Sequence, residues 1–300
     1  MKSLIPDLQR ALITGLFITM GGFSGGCVPF RTGDHDASHT PRTAETAETA
    51  GDAGNIPAGL LQAQFVGIYD TPISLTGGRY AGPAFVAGGS SRPRVTLLQE
   101  LVTQGDLDTD GIDEYAVVLA ENSGGSGSFI YLALLRPRGS AFVNFTTALL
   151  GDRIQVTSLN VVDGTIRASM LVHGPGDPAC CPSEHTERSW LLIDNQLSEV
   201  KTYRGNLVYG HETREFTLCE EQGGDDNKSC TGTAWWVVDG TGGDLPAAYR
   251  TLAARPYAPV YVKVRGAVGP SPNAEFARPY EQQLKIVELK RAGKAHPKTN

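Results

Sequence analysis

Several things are missing from this sequence, and each absence removes a class of function. No apolar run reaches the roughly 20 residues that a bilayer-crossing helix needs, the longest being Ala11 to about Phe23, so a mature transmembrane helix is not expected. There is no excess of positive charge: the formal net charge is −6, which keeps a protein soluble and offers nothing to a phosphate backbone. Stretches free of glycine and proline are scarce, because Gly 36 and Pro 18 punctuate the chain, and this favours β structure with many turns over long helices. Three catalytic or metal signatures are incomplete. "HETRE" at His211 to Glu215 lacks the second histidine of a metalloprotease helix and reads as strand. "NSGGSGS" is no nucleophile elbow, since Ser126 is followed by Gly127 and Ser128, and it reads as a hairpin loop. Finally, no Cys-x-x-Cys spacing occurs.

What is present begins at the N-terminus. Lys2 and Arg10 precede the apolar run, and Ser24, Gly25 and Gly26 lead into Cys27. Small residues followed at once by cysteine resemble the lipobox of bacterial lipoproteins, although Ser24 stands where leucine is usual. The resemblance implies cleavage of residues 1–26 and lipidation of Cys27, with palmitate among the acyl chains. The alternative is ordinary cleavage after Gly26 with no lipid. Val28 is not the aspartate associated with inner-membrane retention, which favours the outer membrane, facing the periplasm. Setting Cys27 aside leaves Cys180, Cys181, Cys219 and Cys230, an even number in an exported, oxidising setting.

Residues 27–58 repeat Thr-Ala-Glu and hold almost no large apolar side chains, so they read as a disordered tether. From residue 59 the sequence turns globular, and 40% hydrophobic residues over the chain can fill cores. "YAVVLAE", "SFIYLALLR", "DRIQVTSLNVV" and "TIRASMLVH" read as strands, with Asp163-Gly164 as a hairpin turn between the last two. "ERSWLLIDNQLSEVKTY" reads as a further hairpin turning at Asp194-Asn195, while "RVTLLQELV" suits either a short helix or a strand. Residues 59–202 thus form one β-rich domain. Beyond it lie "EFTLC", "AWWVV", "APVYVKVRGAV" and "QQLKIVELKRA", with "LPAAYRTLAA" as a helix between the second and third; this pattern suits a small barrel over 203–292, followed by a disordered tail at 293–300. The fold class expected is mainly β: a β-rich N-terminal domain followed by a small OB-like barrel.

At "YGHETREFTLC", "WWVV", "APVYVKVRGAV" and "KIVELKRA" the chain resembles the C-terminal domain of NlpE-type envelope lipoproteins, over roughly Tyr203 to Ala292. That resemblance implies an OB-like barrel on a lipoprotein of the bacterial envelope, in a family associated with copper homeostasis and surface-sensed envelope stress. The NlpE amino-terminal domain carries Cys-x-x-Cys, whereas this chain has the adjacent Cys180 and Cys181, so location is what the resemblance transfers.

Two stretches carry candidate chemistry. "GDLDTDGIDEYAVVLA" sets Asp106, Asp108 and Asp110 at positions 1, 3 and 5, Gly111 at 6, the carbonyl of Ile112 at 7 and Glu114 at 9. Alternate oxygen donors around a glycine-permitted turn wrap one hard cation. Val117 occupies position 12, where an EF-hand has its bidentate glutamate, so the spacing resembles instead the calcium loops of β-rich extracellular domains such as integrin-type propeller repeats. Calcium would then be a structural cofactor; a solvated acidic turn is the alternative. In "HGPGDPACCPSEH" the adjacent Cys180 and Cys181, between His173 and His185, suggest a redox pair, a vicinal disulfide or a soft-metal site. Cys219 and Cys230 flank a polar loop and are the structural disulfide expected. Trp235, Trp236, Tyr257 and Tyr261 invite sugar stacking but suit a barrel core better. Within 203–292, 4 Lys and 7 Arg against 11 Asp and Glu cancel, so nucleic acid is not an expected partner.

The function expected is a lipid-anchored envelope protein that binds, senses or supports, with no enzyme activity and with the membrane and another envelope protein as partners. The alternatives are a metal- or thiol-dependent periplasmic enzyme and a copper-binding envelope protein.

Overall fold

A computed structural model describes residues 56–221, 228–230 and 232–294. The leader, Cys27, nearly all of the tether and the 295–300 end of the tail lie outside the described residues. No helix among the described residues is long and apolar enough to cross a membrane.

The described residues open with a 3-10 turn at Leu60–Gln62 and the short strands β1 (Gln64–Phe65), β2 (Ile73–Ser74) and β3 (Arg79–Ala81). Four long strands follow: β4 (Arg94–Gly105), β5 (Glu114–Asn122), β6 (Phe129–Arg138) and β7 (Ala141–Asp152). These form a seven-stranded sheet in the order β2-β1-β7-β6-β5-β4-β3, antiparallel except where β1 lies parallel to β7. A second sheet, β11-β10-β9-β8, comprises β8 (Gln155–Val162), β9 (Thr165–Val172), β10 (Glu184–Ile193) and β11 (Gln196–Glu199). Both expected hairpin turns are present. Asp163 and Gly164 have φ of 50° and 66°, and Asp194 and Asn195 have 49° and 60°, the left-handed pair that a two-residue turn demands.

Alternation along β5 and β6 explains their near-continuous apolar composition. Ala116, Val118, Leu132 and Leu134 face the second sheet and pack with Leu159, Ile166, Met170 and Trp190. Val117, Leu119, Ala133 and Leu135 face the opposite way, onto Leu60, Phe65, Ile73 and Leu75 from the N-terminal segment. A strand covered on both sides has no polar face to display. The "RVTLLQELV" segment is strand, the start of β4; its pairing with β5 slips between Leu98 and Val102 at a bulge, which re-phases the apolar positions.

After Val200 the chain enters a closed barrel in the order β12-β13-β16-β18-β17. Its strands are β12 (Lys201–Tyr209), β13 (Arg214–Leu218), β16 (Ala234–Asp239), β17 (Val260–Pro270) and β18 (Gln282–Lys294); a separate two-stranded ribbon, β14 (Glu220–Glu221) with β15 (Lys228–Ser229), follows β13, and helix α1 (Asp244–Leu252) follows β16. β12 closes the barrel on β17, and β16 runs parallel to β18. A five-stranded barrel with a helix inserted between its third and fourth long strands is OB-like. The interior is filled by Leu207, Phe216, Trp235, Val237, Val262, Val264, Leu284 and Ile286, and α1 covers it with Leu245 and Tyr249. Tight curvature needs Gly205, where a Cβ would lie 2.4 Å from the Thr217 carbonyl oxygen and 2.5 Å from the Phe216 ring.

Sandwich and barrel belong to one compact unit. Leu191 and Ile193 of β10, Val200 and Ala267 of β17 form a small buried seam, with Val287 beside it. Ile193 lies so close to Gly269 that a Cβ there would be 2.6 Å from its side chain.

Candidate functional site

The acidic stretch is a tight loop joining β4 to β5. Its turn is held by its own carboxylates: Asp106 accepts from the N–H groups of Thr109 (2.7 Å) and Gly111 (3.0 Å), Asp108 from Asp110 (3.2 Å), and Asp110 from Ile112 (2.8 Å). Thr109 and Gly111 both take positive φ, at 66° and 85°. Carboxylate oxygens of Asp106, Asp108 and Glu114 converge within 4.8 Å of one another, and Asp110 is not part of this group.

The sequence reading missed the cation already there. Arg136, at the end of β6, lies opposite Glu114 because Tyr115 pairs with Leu135. Its Nε donates to Glu114 Oε1 at 3.0 Å, one terminal nitrogen meets Asp108 at 2.5 Å, and the other donates to Asn195 at 2.7 Å. The guanidinium also lies 4.2 Å over the Phe145 ring. Burial works against its charge, but the Glu114 and Asp108 carboxylates outweigh burial and raise its pKa above the ordinary arginine value. Glu114 is fully buried, and its second oxygen accepts from the Leu107 N–H at 3.0 Å. A buried carboxylate with an arginine and an amide donor is a satisfied structural group.

This donor set fits calcium in kind, since all three converging groups are hard oxygens and each carboxylate keeps free lone pairs. Asp106, Asp108 and Glu114 would hold the ion, joined by the Ile112 carbonyl if the loop supplies it. Calcium would there brace the β4–β5 turn and perform no chemistry. Arg136 neutralises two of these carboxylates, Asp108 and Glu114, from the sheet side, so an ion there would compete with the guanidinium for them.

The thiol loop connects β9 to β10. Cys180 and Cys181 are joined to each other, and Cys219 to Cys230, so every cysteine among the described residues is paired. The second bond has a sequence separation of 11 and contributes roughly 3 kcal/mol on the loop-entropy estimate; a bond between neighbours excludes far fewer unfolded conformations and is worth only about 1 kcal/mol. Asp177 organises the first loop by accepting from the Gly174 N–H, the Ser183 N–H and the Ser183 hydroxyl, all at 2.9 Å. Those backbone and hydroxyl donors hold its carboxyl below the usual aspartate pKa. His173, at the root of the loop, has a buried Nε2 with no hydrogen-bond partner.

A third feature lies at one end of the barrel. Tyr209, Tyr249, Tyr257, Arg250 and Arg255 line an open cavity of about 460 Å³, within the size range of small-molecule sites. Tyr257 takes a positive φ of 61°, and its ring sits against Gly210, where a Cβ would approach to 2.3 Å. Of the aromatic residues considered for stacking, Trp235 is buried in the barrel core, Trp236 is buried beside Tyr280, and Tyr257 alone lines the cavity. Tyr209 and Tyr249 carried no signal in the sequence, because barrel closure and α1 bring them together across some forty residues. "HETRE" occupies the β12–β13 turn and the start of β13; His211 and Glu212 are exposed turn residues, not strand.

No family model and no curated protein matches this chain. A solved structure similar to it is the crystal structure of the Cpx pathway activator NlpE from Escherichia coli, at 14% identity over 71% of this chain and 93% of that chain, with a TM-score of 0.24. Likeness at that level transfers neither fold nor function, and the OB-like assignment rests on the strand order of the barrel itself.

Proposed function

We propose that this chain is a lipid-anchored protein of the bacterial cell envelope, held at the outer membrane through Cys27, whose folded part binds or senses and does not catalyse. The observation that carries it is the cysteine pairing. Two disulfides in the described residues fit an oxidising compartment, and the leader read over residues 1–26, ahead of Cys27, would be the route there. The acidic loop supports the non-catalytic half of the reading, because its carboxylates are engaged by backbone amides and Arg136 and brace a turn. The barrel-end cavity supplies a place for a ligand, lined by three tyrosines and two arginines.

Fractionation of cells expressing the full chain tests the proposal, alongside palmitate labelling and a Cys27→Ser variant. The expected outcome is labelled wild type in the outer-membrane fraction and unlabelled variant in the soluble periplasm. Wild type that stays unlabelled and cytoplasmic, with alkylatable cysteines, overturns it.

A further inference from the structure

The two disulfides stand in opposite environments. Cys219 is 7% exposed and Cys230 0%, at the foot of the β14–β15 ribbon, where an attacking thiolate has no approach. Cys180 and Cys181 are both exposed at the outer end of the β9–β10 loop. Exposed disulfides are the labile, regulatory or catalytic ones, because exchange needs access of a thiolate to sulfur. Joining neighbours also makes this bond a poor staple, and the loop does not depend on it. Gly174 and Ser183, on either side of the cysteines, are tied to the same Asp177 carboxylate, a restraint on the loop ends that does not pass through the disulfide. The Cys181 N–H to Pro178 carbonyl bond of 3.0 Å holds the turn between them.

We propose that Cys180–Cys181 is a surface thiol–disulfide exchange site that takes two electrons from a dithiol. A thiolate of the dithiol attacks one of the two sulfurs; a mixed disulfide forms, the Cys180–Cys181 bond breaks, and the released cysteine thiolate takes up a proton. The second thiol of the dithiol then gives up its proton and attacks the mixed disulfide, which frees the other cysteine as a thiolate that is protonated in turn. The dithiol leaves as a disulfide, having lost two electrons and two protons, and the loop gains both. Adjacency selects the reductant. With a monothiol, the neighbouring cysteine is tethered beside the mixed disulfide at high effective concentration and reverses the attack, whereas a dithiol carries its own tethered second thiol and competes.

The test uses the mature chain purified without reductant and exposed to graded dithiothreitol or glutathione. Samples are quenched in acid, alkylated and analysed by peptide mass spectrometry. The expected result is alkylation of Cys180 and Cys181 at dithiothreitol concentrations at least about tenfold below those that open Cys219–Cys230, with glutathione much less effective and the melting point lowered by no more than about 4 °C. Opening of both pairs at the same concentration overturns the proposal. So does a Cys180→Ser, Cys181→Ser variant that melts about 8 °C or more below wild type, since the bond would then be a staple. A Cys219→Ser, Cys230→Ser variant is the control: in it the 180–181 pair should titrate as in wild type, and a changed titration counts against an autonomous site.

Discussion

Replacing Arg136 by methionine asks what the loop's inner cation contributes. Methionine keeps an apolar stem against Phe145 and removes the charge, leaving Glu114, whose side chain is 0% exposed, with the Leu107 amide as its one hydrogen-bond donor. Breaking a fully buried ion pair costs about 3–5 kcal/mol; because the Arg136 side chain is 35% exposed, water replaces part of the interaction and about 2–3 kcal/mol is expected. For a folded unit of this size that corresponds to a melting point lower by about 5–10 °C. Calorimetry in chelator reads the loss. Millimolar calcium should then restore the variant more than it shifts wild type, because Asp106, Asp108 and Glu114 are left converging with no competing cation, and an ion bound only to the native state stabilises by mass action. Adding Glu114→Gln to Arg136→Met should recover part of the loss, as a double-mutant cycle measures. An Arg136→Met melt within about 1 °C of wild type in chelator would refute the argument that Glu114 needs its partner.

Three further outcomes are expected. In wild type, calcium should raise the melt modestly, and an Asp108→Ala, Asp110→Ala variant should lose the rise; equal melts with calcium and with chelator would leave the loop an arginine-braced turn. Gly205→Ala should cost about 1–3 kcal/mol by driving a methyl group into the Thr217 carbonyl and the Phe216 ring, measured by urea denaturation. Tyr280 is pushed up to about 12, first by burial and then by the Glu215 carboxylate that its hydroxyl meets at 3.1 Å. The unfolded chain ionises this phenol near pH 10 while the folded chain keeps its proton. Stability is therefore full below pH 10 and declines as pH rises towards 12; Tyr280→Phe should flatten that part of the profile, and an unaltered slope would remove Tyr280 as its source.

How much of this was legible depended on distance along the chain. The turns at Asp163-Gly164 and Asp194-Asn195 were readable because short polar residues and glycine mark positive φ locally, and α1 was readable because "LPAAYRTLAA" lies between turn signals. β4 was ambiguous for a physical reason: the bulge between Leu98 and Val102 breaks alternation and spaces Leu98, Leu101 and Val102 as a helix would. The acidic loop announced its carboxylates, but Arg136 is twenty-two residues from Glu114 and becomes its neighbour only through the β5–β6 register. The barrel cavity was illegible for the same reason, since Tyr209 and Tyr257 meet only once the barrel has closed and α1 has docked.

The join between sandwich and barrel has a practical consequence. β11 ends at Glu199 and β12 begins at Lys201, so the connection is Val200 alone, and that residue is 9% exposed within the seam. A protease finds no cleavable strap there, and an engineer finds no place to cut. A barrel expressed alone from residue 201 would bare Ala267, Val287 and the Gly269 face to water, while a sandwich ending at 200 would bare Leu191 and Ile193. Each half would carry a sticky scar where the other had been, so the pair must be made and turned over as one piece.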